Sequence, residues 1–356
     1  MSRTQAADRP GRVTIRDVAQ HAGVSVATVS RALAGDRTVT PTTLAKVQQA
    51  VRDLDYVVNA HARGLSGRPT PMIAVIATDV RSPFVQHVAA GVQEHAAESG
   101  RFCAIFTTQG EAKQETDAVR LMREMNAEGV LLVGGVVDSA DYRDRVRGYV
   151  QTLGSRLVLC GRPSPGPDIP ALVVEYDNIG GAYAATSYLL SAGHRRIALI
   201  TGRHGFTTTD QRVAGYRKAC ADFGVEVDER LIIADHTVLD RTAGYLGVQR
   251  LLREDADFSA VFTGTDTIAS GALTALREAG RRVPDDVSVV GFDDLAFAQE
   301  LTPPLTTVHL PHEELGRAAA RMALSNVQTG SGRDHVLLGT HLVIRDSVRP
   351  YVRTAG

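Results

Sequence analysis

Arg212 and Asp293 are the side chains of this 356-residue sequence whose chemistry pairs most readily. Asp293 ends the apolar run VSVVGFD, and Arg212 follows closely on the run that ends at Thr201-Gly202. An arginine and a carboxylate brought together can hold vicinal hydroxyls through paired, charge-assisted hydrogen bonds. Other run ends carry Asp79, Arg81 and Phe84, then Phe206 and Thr208, then Thr265 and Asp266 after AVFTGT. A ring such as Phe84 can pack on the apolar face of a sugar. Asp266 reads as the cap of the helix that follows, and packing is the plainer role for Phe206. Signatures of covalent chemistry are missing: there is no Gly-rich phosphate loop, no G-x-S-x-G and no metal-spaced His/Asp cluster. His309 and His312 flank Leu310-Pro311, a poor setting for helical metal ligands. The pattern is that of a binding protein rather than an enzyme, with no cofactor and no metal expected.

The elements that must position these groups alternate. Short runs such as MIAVIAT, FCAIFTT, GVLLVGG, RLVLCG, ALVVEYD, RRIALITG, RLIIAD, AVFTGT and VSVVGFD are separated by helical stretches. Near-continuous Val/Ile/Leu strands with helices between them imply parallel sheets covered on both faces. A break at the GRPSPGPDIP loop, residues 161–170, divides them into two doubly wound lobes. The expected bounds are roughly 71–170 plus 303–330, and 171–300 plus 333–349, with TTVHLP and HLVIRD crossing back to complete each lobe. Ligands of such sheets bind at the carboxyl ends of the strands, so two facing lobes make a cleft that can close.

Ahead of this 71–356 body, Val13 to Gly35 reads as two short helices at a tight turn. Thr14 with Asp17 forms a capping-box-like pair, Gly23 suits a left-handed C-cap, and Ser25 caps the second helix. Val29, Ala32 and Leu33 face inward, which leaves Val26, Ala27, Thr28, Ser30 and Arg31 outward. That is a helix-turn-helix whose second helix can enter a major groove. Thr40-Pro41 starts a third helix with Leu44, Val47, Val51 and Leu54 on one face, completing a head over residues 13–57. Residues 58–70 form a hinge in which Asn59 caps a helix too short to stand alone. Leu65, apolar between Arg63 and Arg68, has the character of a wedge that orders on DNA and enters the minor groove.

Charge supports this division. The whole chain carries −1, yet residues 12–68 hold eight Arg/Lys against four Asp, a net of +4. Residues 1–12 are expected to be a disordered tail, and the first eleven residues add +1, which leaves −6 for residues 69–356. A basic head on an acidic body is the footprint of a protein that meets phosphates with its head alone. Cys103, Cys160 and Cys220 are far apart and read as reduced core thiols. A polar N-terminus and the absence of any long apolar run predict a cytoplasmic protein with no membrane partner, associated with the nucleoid when on DNA.

In order along the chain, VTIRDVAQHAGVSVATVSRAL, ARGL, SPF, AGHRRIALITG, QRVAGY, RVPDDVSVVGFDD and TPPLTTVHLP resemble the lactose/galactose repressor (LacI/GalR-type) family from Val13 to Arg349. The resemblance implies a small all-α head and a body like a periplasmic binding protein. It places Val26 and Ala27 at the main base-reading positions, with Thr28 and Arg31 beside them and Leu65 as the hinge wedge. It makes Arg212 and Asp293 the effector-holding pair and Phe84 a wall residue. Purine-binding members carry arginine where Phe206 stands, which argues against a nucleobase ligand. Val58 replaces a proline common before the hinge asparagine, and the missing heptad tail predicts a homodimer rather than a tetramer. The expected function is a dimeric regulator on a palindromic operator, a repressor of sugar-metabolism genes controlled by a small polar effector, a sugar. Inducer and corepressor, and repressor and activator, remain alternatives at this level. A secreted sugar-binding protein would share the body but not the basic head.

Overall fold

A computed structural model of the chain describes residues 13–33, 36, 38–56, 69–236, 239–325 and 334–351. Asn59, Arg63 and Leu65, the expected N-terminal tail and Val58 lie outside the described residues. The chain divides into two units, Met1–Thr70 and Pro71–Gly356.

In the first unit, helices α1 (Ile15–Ala22), α2 (Val26–Leu33) and α3 (Pro41–Asp53) enclose a small core of Val18, Ala19, Val29, Ala32, Val47, Ala50 and Tyr56. Local chemistry sets each boundary. The Thr14 N–H and hydroxyl both donate to the Asp17 carboxylate, at 2.7 and 2.8 Å, closing the first turn of α1. Gly23 ends α1 at φ 66°, a left-handed conformation that a Cβ would strain. The Ser25 hydroxyl accepts from the Thr28 N–H (3.1 Å) and so caps α2. Thr40 caps α3 in the same way, with Pro41 in the first turn.

The second unit holds two parallel sheets. The first is built from β1 (Thr70–Ala77), β2 (Phe102–Thr107), β3 (Ala127–Val133), β4 (Leu157–Cys160), β5 (Leu172–Tyr176) and β11 (His335–Leu338), in the order β11-β5-β4-β3-β1-β2. The second contains β6 (Ile197–Gly202), β7 (Ile232–His236), β8 (Ala260–Thr263) and β9 (Ser288–Val290), in the order β7-β6-β8-β9. Helices α4 (Pro83–Glu98), α5 (Ala112–Glu124) and α6 (Ala140–Leu153) connect the strands of the first sheet. The second sheet has α7 (Asn178–Ser191), α8 (Thr207–Asp222), α9 (Arg241–Arg253) and α10 (Asp266–Glu278). Strands β1, β3 and β4 are buried almost along their length, as expected for sheets covered on both faces.

Three expectations about the lobes need correction. The Pro-rich loop at 161–170 is not the break between them. It joins β4 to β5, which pair in parallel within the first sheet, and the chain crosses over only after Tyr176, into α7. Residues 335–338, assigned to the second lobe, pair with β5 as the outer strand of the first. Residues 305–309, assigned to the first lobe, lie along the second: Gly291 and Asp293 N–H groups donate to the Thr306 and Val308 carbonyls. TTVHLP and HLVIRD therefore do not each complete a lobe. They meet in an antiparallel pair, β10 (Thr307–His309) with β12 (His341–Val343). Between those strands α11 (His312–Leu324) returns to pack on α4. The physical reason is common to all three: an apolar run identifies a strand, but only the free edge of a neighbour decides where it pairs.

Candidate functional site

On α2, Val26, Ala27, Ser30 and Arg31 are exposed and Thr28 is half-buried, while Val29 is fully buried against α1 and α3. The helix thus presents the residues expected to read bases on its solvent face. Arg31 turns its Nε back to the Ala27 carbonyl (3.4 Å), and Ser25 and Thr28 hydroxyls bond each other (2.8 Å). Thr14 is spent on its capping box.

In the second unit the carboxyl ends of both sheets converge. Arg212, on α8, is buried over the Phe292 ring, with its guanidinium carbon 4.1 Å from the centroid. Its Nε donates to Asn178 Oδ1 (3.1 Å) at the start of α7, and its Nη1 donates to the Gly264 carbonyl beyond β8. Nη2 lies 3.9 Å from Asp293 Oδ1, too far for a hydrogen bond. Among the described residues the Asp293 carboxylate accepts no hydrogen bond, and burial raises its pKa well above the ordinary carboxylate value despite Arg212 beside it. The backbone there is strained, with Asp293 at φ 117° and Asp294 at φ 58°. It is held by the Asp293 N–H on Val308 and by Arg345 and His309 on the Asp294 carboxylate, at 2.7 and 3.0 Å. A buried, unpaired acceptor beside a fixed guanidinium is a receptor for groups that both donate and accept, which hydroxyls do.

The first lobe supplies an apolar wall. Phe84, in the first turn of α4, lies against Gly134 and Gly161 at the ends of β3 and β4, and a Cβ on Gly161 would come within 3.0 Å of its ring. Its ring meets those of Tyr176 (6.5 Å) and His312 (5.5 Å) edge-on. The loop after β3 also touches α8 directly. The Thr207 N–H donates to the Val136 carbonyl (2.9 Å), the Val136 N–H donates to the Thr207 hydroxyl (3.3 Å), and Val137 pairs with Phe206. The lobes are latched.

The remaining expected residues fall in different places. Phe206 belongs to the latch and lies under the Arg203 guanidinium (5.4 Å). Thr208 packs over Gly135 in the same latch. The Thr265 hydroxyl caps α10 by accepting from the Ile268 N–H (3.1 Å), so the cap is Thr265 and not Asp266. Asp266 is instead fully buried, accepting from the Leu295 N–H (2.7 Å) and the Thr307 hydroxyl (2.5 Å), with burial pushing its pKa up to about 7. The Asp79 carboxylate is occupied by the Arg81 backbone and guanidinium. Sequence reasoning missed Asn178, Tyr176, Phe292 and the Gly135–Val137 side of the latch. The Asp177-Asn178 pair at the end of a strand run was the available clue. Among the described residues no group of three or more His, Cys, Asp or Glu could hold a metal ion, and no helix is long and apolar enough to cross a membrane.

Known proteins share this layout. Residues 14–59 match the model of bacterial regulatory proteins of the lacI family, and residues 186–348 match the periplasmic binding protein-like domain. The transcriptional regulator CelR of Thermobifida fusca is 35% identical over 347 residues, covering 96% of this chain and 99% of the relative. The ribose operon repressor of Haemophilus influenzae is 32% identical over 336 residues, 94% of this chain and 98% of its own. A solved CelR–cellobiose complex aligns with a TM-score of 0.69 at 32% identity, over 94% of this chain and 100% of that one. An operator-bound lac repressor dimer shares the fold, with a TM-score of 0.80 at 23% identity over 95% and 100% of the two chains. A helix-turn-helix head on a two-lobed α/β body, matched over nearly its whole length by such relatives, belongs to the LacI/GalR family of DNA-binding transcriptional regulators.

Proposed function

We propose that the chain is a homodimeric repressor of sugar-metabolism genes whose interlobe cleft binds a sugar. The observation that carries this reading is the Arg212–Asp293 pair, buried and 3.9 Å apart, with the carboxylate accepting no hydrogen bond among the described residues. Vicinal hydroxyls donating to Asp293 and accepting from Arg212 satisfy both groups, and Phe84 covers the apolar face of the ring. A relative named for ribose and a relative solved with cellobiose support the class of ligand. A thermal-shift screen of the full-length protein against mono- and disaccharides tests it, because a ligand that binds only the native state raises the midpoint. No shift with any sugar overturns the assignment.

On DNA, two heads meet a palindromic operator. Val26 and Ala27 carry no hydrogen-bonding groups, so they sense groove shape and thymine methyls, with Thr28, Ser30 and Arg31 supplying polar contacts. A second copy also accounts for the outer strand β2, where Phe102 and Ile105 stand half-exposed. Asn59, Arg63 and Leu65 contact the operator, with Leu65 wedged at the central step. Leu65→Ala should weaken operator binding by about 1–3 kcal/mol while leaving random-sequence DNA affinity unchanged. Titrations on both DNAs at one salt concentration decide it, and equal losses on both would remove Leu65 as a specificity element.

A further inference from the structure

His312 is the first residue of α11, where the chain re-enters the first lobe. Its imidazole is 6% exposed and packs against Phe84 (5.5 Å), Tyr176 (5.6 Å) and, stacked, His87 (6.1 Å). Nδ1 lies 2.7 Å from the Tyr176 hydroxyl. Nε2 is closed off from solvent and has no hydrogen-bond partner among the described residues.

Counting donors and acceptors decides where the ring proton sits. Tyr176 is buried, its ionisation pushed well up by desolvation, so the phenol keeps its hydrogen. That hydroxyl has Nδ1 as its hydrogen-bond partner. If the phenol donates, Nδ1 accepts, the proton resides on Nε2, and one donor stays unpaired. The opposite tautomer strands both the phenol hydrogen and the Nε2 lone pair. A buried unpaired polar group costs about as much as a lost hydrogen bond, so one is preferred to two. Desolvation holds the ring neutral, with its pKa lowered to about 3, and the neighbouring His87, Arg212 and His309 push the same way. Arg212 in turn lies 3.9 Å from Asp293 and donates to the Gly264 carbonyl.

Resting on the saccharide reading of the cleft given above, we propose that His312 determines specificity. Its Nε2–H donates to a ring, glycosidic or hydroxyl oxygen of the sugar, completing the contacts that Arg212 and Asp293 begin.

The test uses the full-length protein and a panel of glucose, galactose, ribose and cellobiose, at least one of which is expected to bind. His312→Phe keeps an aromatic ring and removes the donor, so affinity for that sugar falls about tenfold, the value of one lost hydrogen bond to a buried group. His312→Gln carries an N–H near the Nε2 position and restores most of the affinity. Nitrogen-15 NMR of the wild-type imidazole adds a measurement that needs no variant to fold: Nε2 is protonated in the free protein, and its resonance moves on saturation with the sugar. A sugar that binds wild type and His312→Phe alike, or a proton found on Nδ1, overturns the contact alone. Failure of every sugar to bind overturns the saccharide reading and this contact with it.

Discussion

The head and the cleft of this protein carry function in opposite ways. Every side chain that α2 offers to DNA comes from one helix of eight residues, and nearly all of them are solvent-exposed. The cleft instead gathers Phe84, Tyr176, Asn178, Arg212, Asp293 and His312 from segments spread over more than two hundred residues, and buries nearly all of them. The first arrangement leaves its groups hydrated and independent, so substitutions there should act locally and almost additively. In the second, each polar group is desolvated and leans on its neighbours, so removing one exposes the cost of the others. What the difference teaches is where sensitivity should reside: in the cleft, where a missing partner strands a buried group, more than on the exposed face of α2.

The strongest way to sharpen that contrast is to remove one member of the buried pair. Asp293→Ala and Arg212→Ala should each cost on the order of 2–3 kcal/mol of effector binding, roughly a hundredfold in Kd, with operator affinity unchanged in the absence of ligand. Calorimetric titration with the stabilising sugar and an operator titration measure the two halves. Because a ligand shifts the lobes only through its preference for one arrangement, both variants lose the response in cells. Permanent repression would identify an inducer and derepression a corepressor. Normal sugar binding by either variant would break the comparison.

The latch is the next lever. A Cβ on Gly135 would lie 2.9 Å from the Thr208 hydroxyl, so Gly135→Val forces the loop after β3 away from α8. Effector affinity should drop about tenfold, because closure must then be achieved against a steric clash. Small-angle scattering should show a ligand-bound body more open than that of the wild type. Unchanged affinity and scattering would mean that the contact between Val136 and Thr207 contributes nothing to closure.

In the head, Gly23→Ala tests whether local backbone chemistry suffices. A Cβ at Gly23 meets nothing within 4 Å, so the cost is conformational alone, about 1 kcal/mol for a left-handed residue. Hydrogen exchange at Val18 and Val29 in the full-length chain should accelerate about fivefold, with sugar binding untouched. A much larger acceleration would show that the head is as interdependent as the cleft.

The smallest effect is a matter of pH. The folded protein holds His312 at a pKa of about 3 against an ordinary 6.5, so the unfolded chain binds the extra proton in the interval between them. Stability from this group is therefore full above pH 6.5 and is lost as the pH falls toward 3, by roughly 0.5–1 kcal/mol between pH 7 and pH 6. Asp266, with its pKa raised to about 7, runs with the opposite sign: its penalty grows as the pH rises from 3.8 through 7. Comparing denaturation of wild type with His312→Gln cancels the Asp266 contribution. The gap should move in the variant's favour on acidification, and a constant gap would mean that His312 is not desolvated.

The sequence alone determined whatever depends on neighbours a few positions apart. The Thr14–Asp17 box, the Gly23 turn, the Ser25 and Thr40 caps and the outward face of α2 are all set by contacts within four residues. Strand runs were legible for the same reason, since continuous apolar residues bury on both faces wherever they pair. Arg212, Asp293 and Phe84 could be named because strand ends are where such sheets bind ligands. Tertiary structure alone decided the rest. Only the free edge of β4 placed β5 in the first lobe, and only the meeting of β10 with β12 set the crossovers. The spacing of Arg212 from Asp293 and the pairing of His312 with Tyr176 across 136 positions have no local signature. Each is fixed by burial and by a partner distant in the chain, and side-chain type gives the chemistry of a group without giving its neighbour.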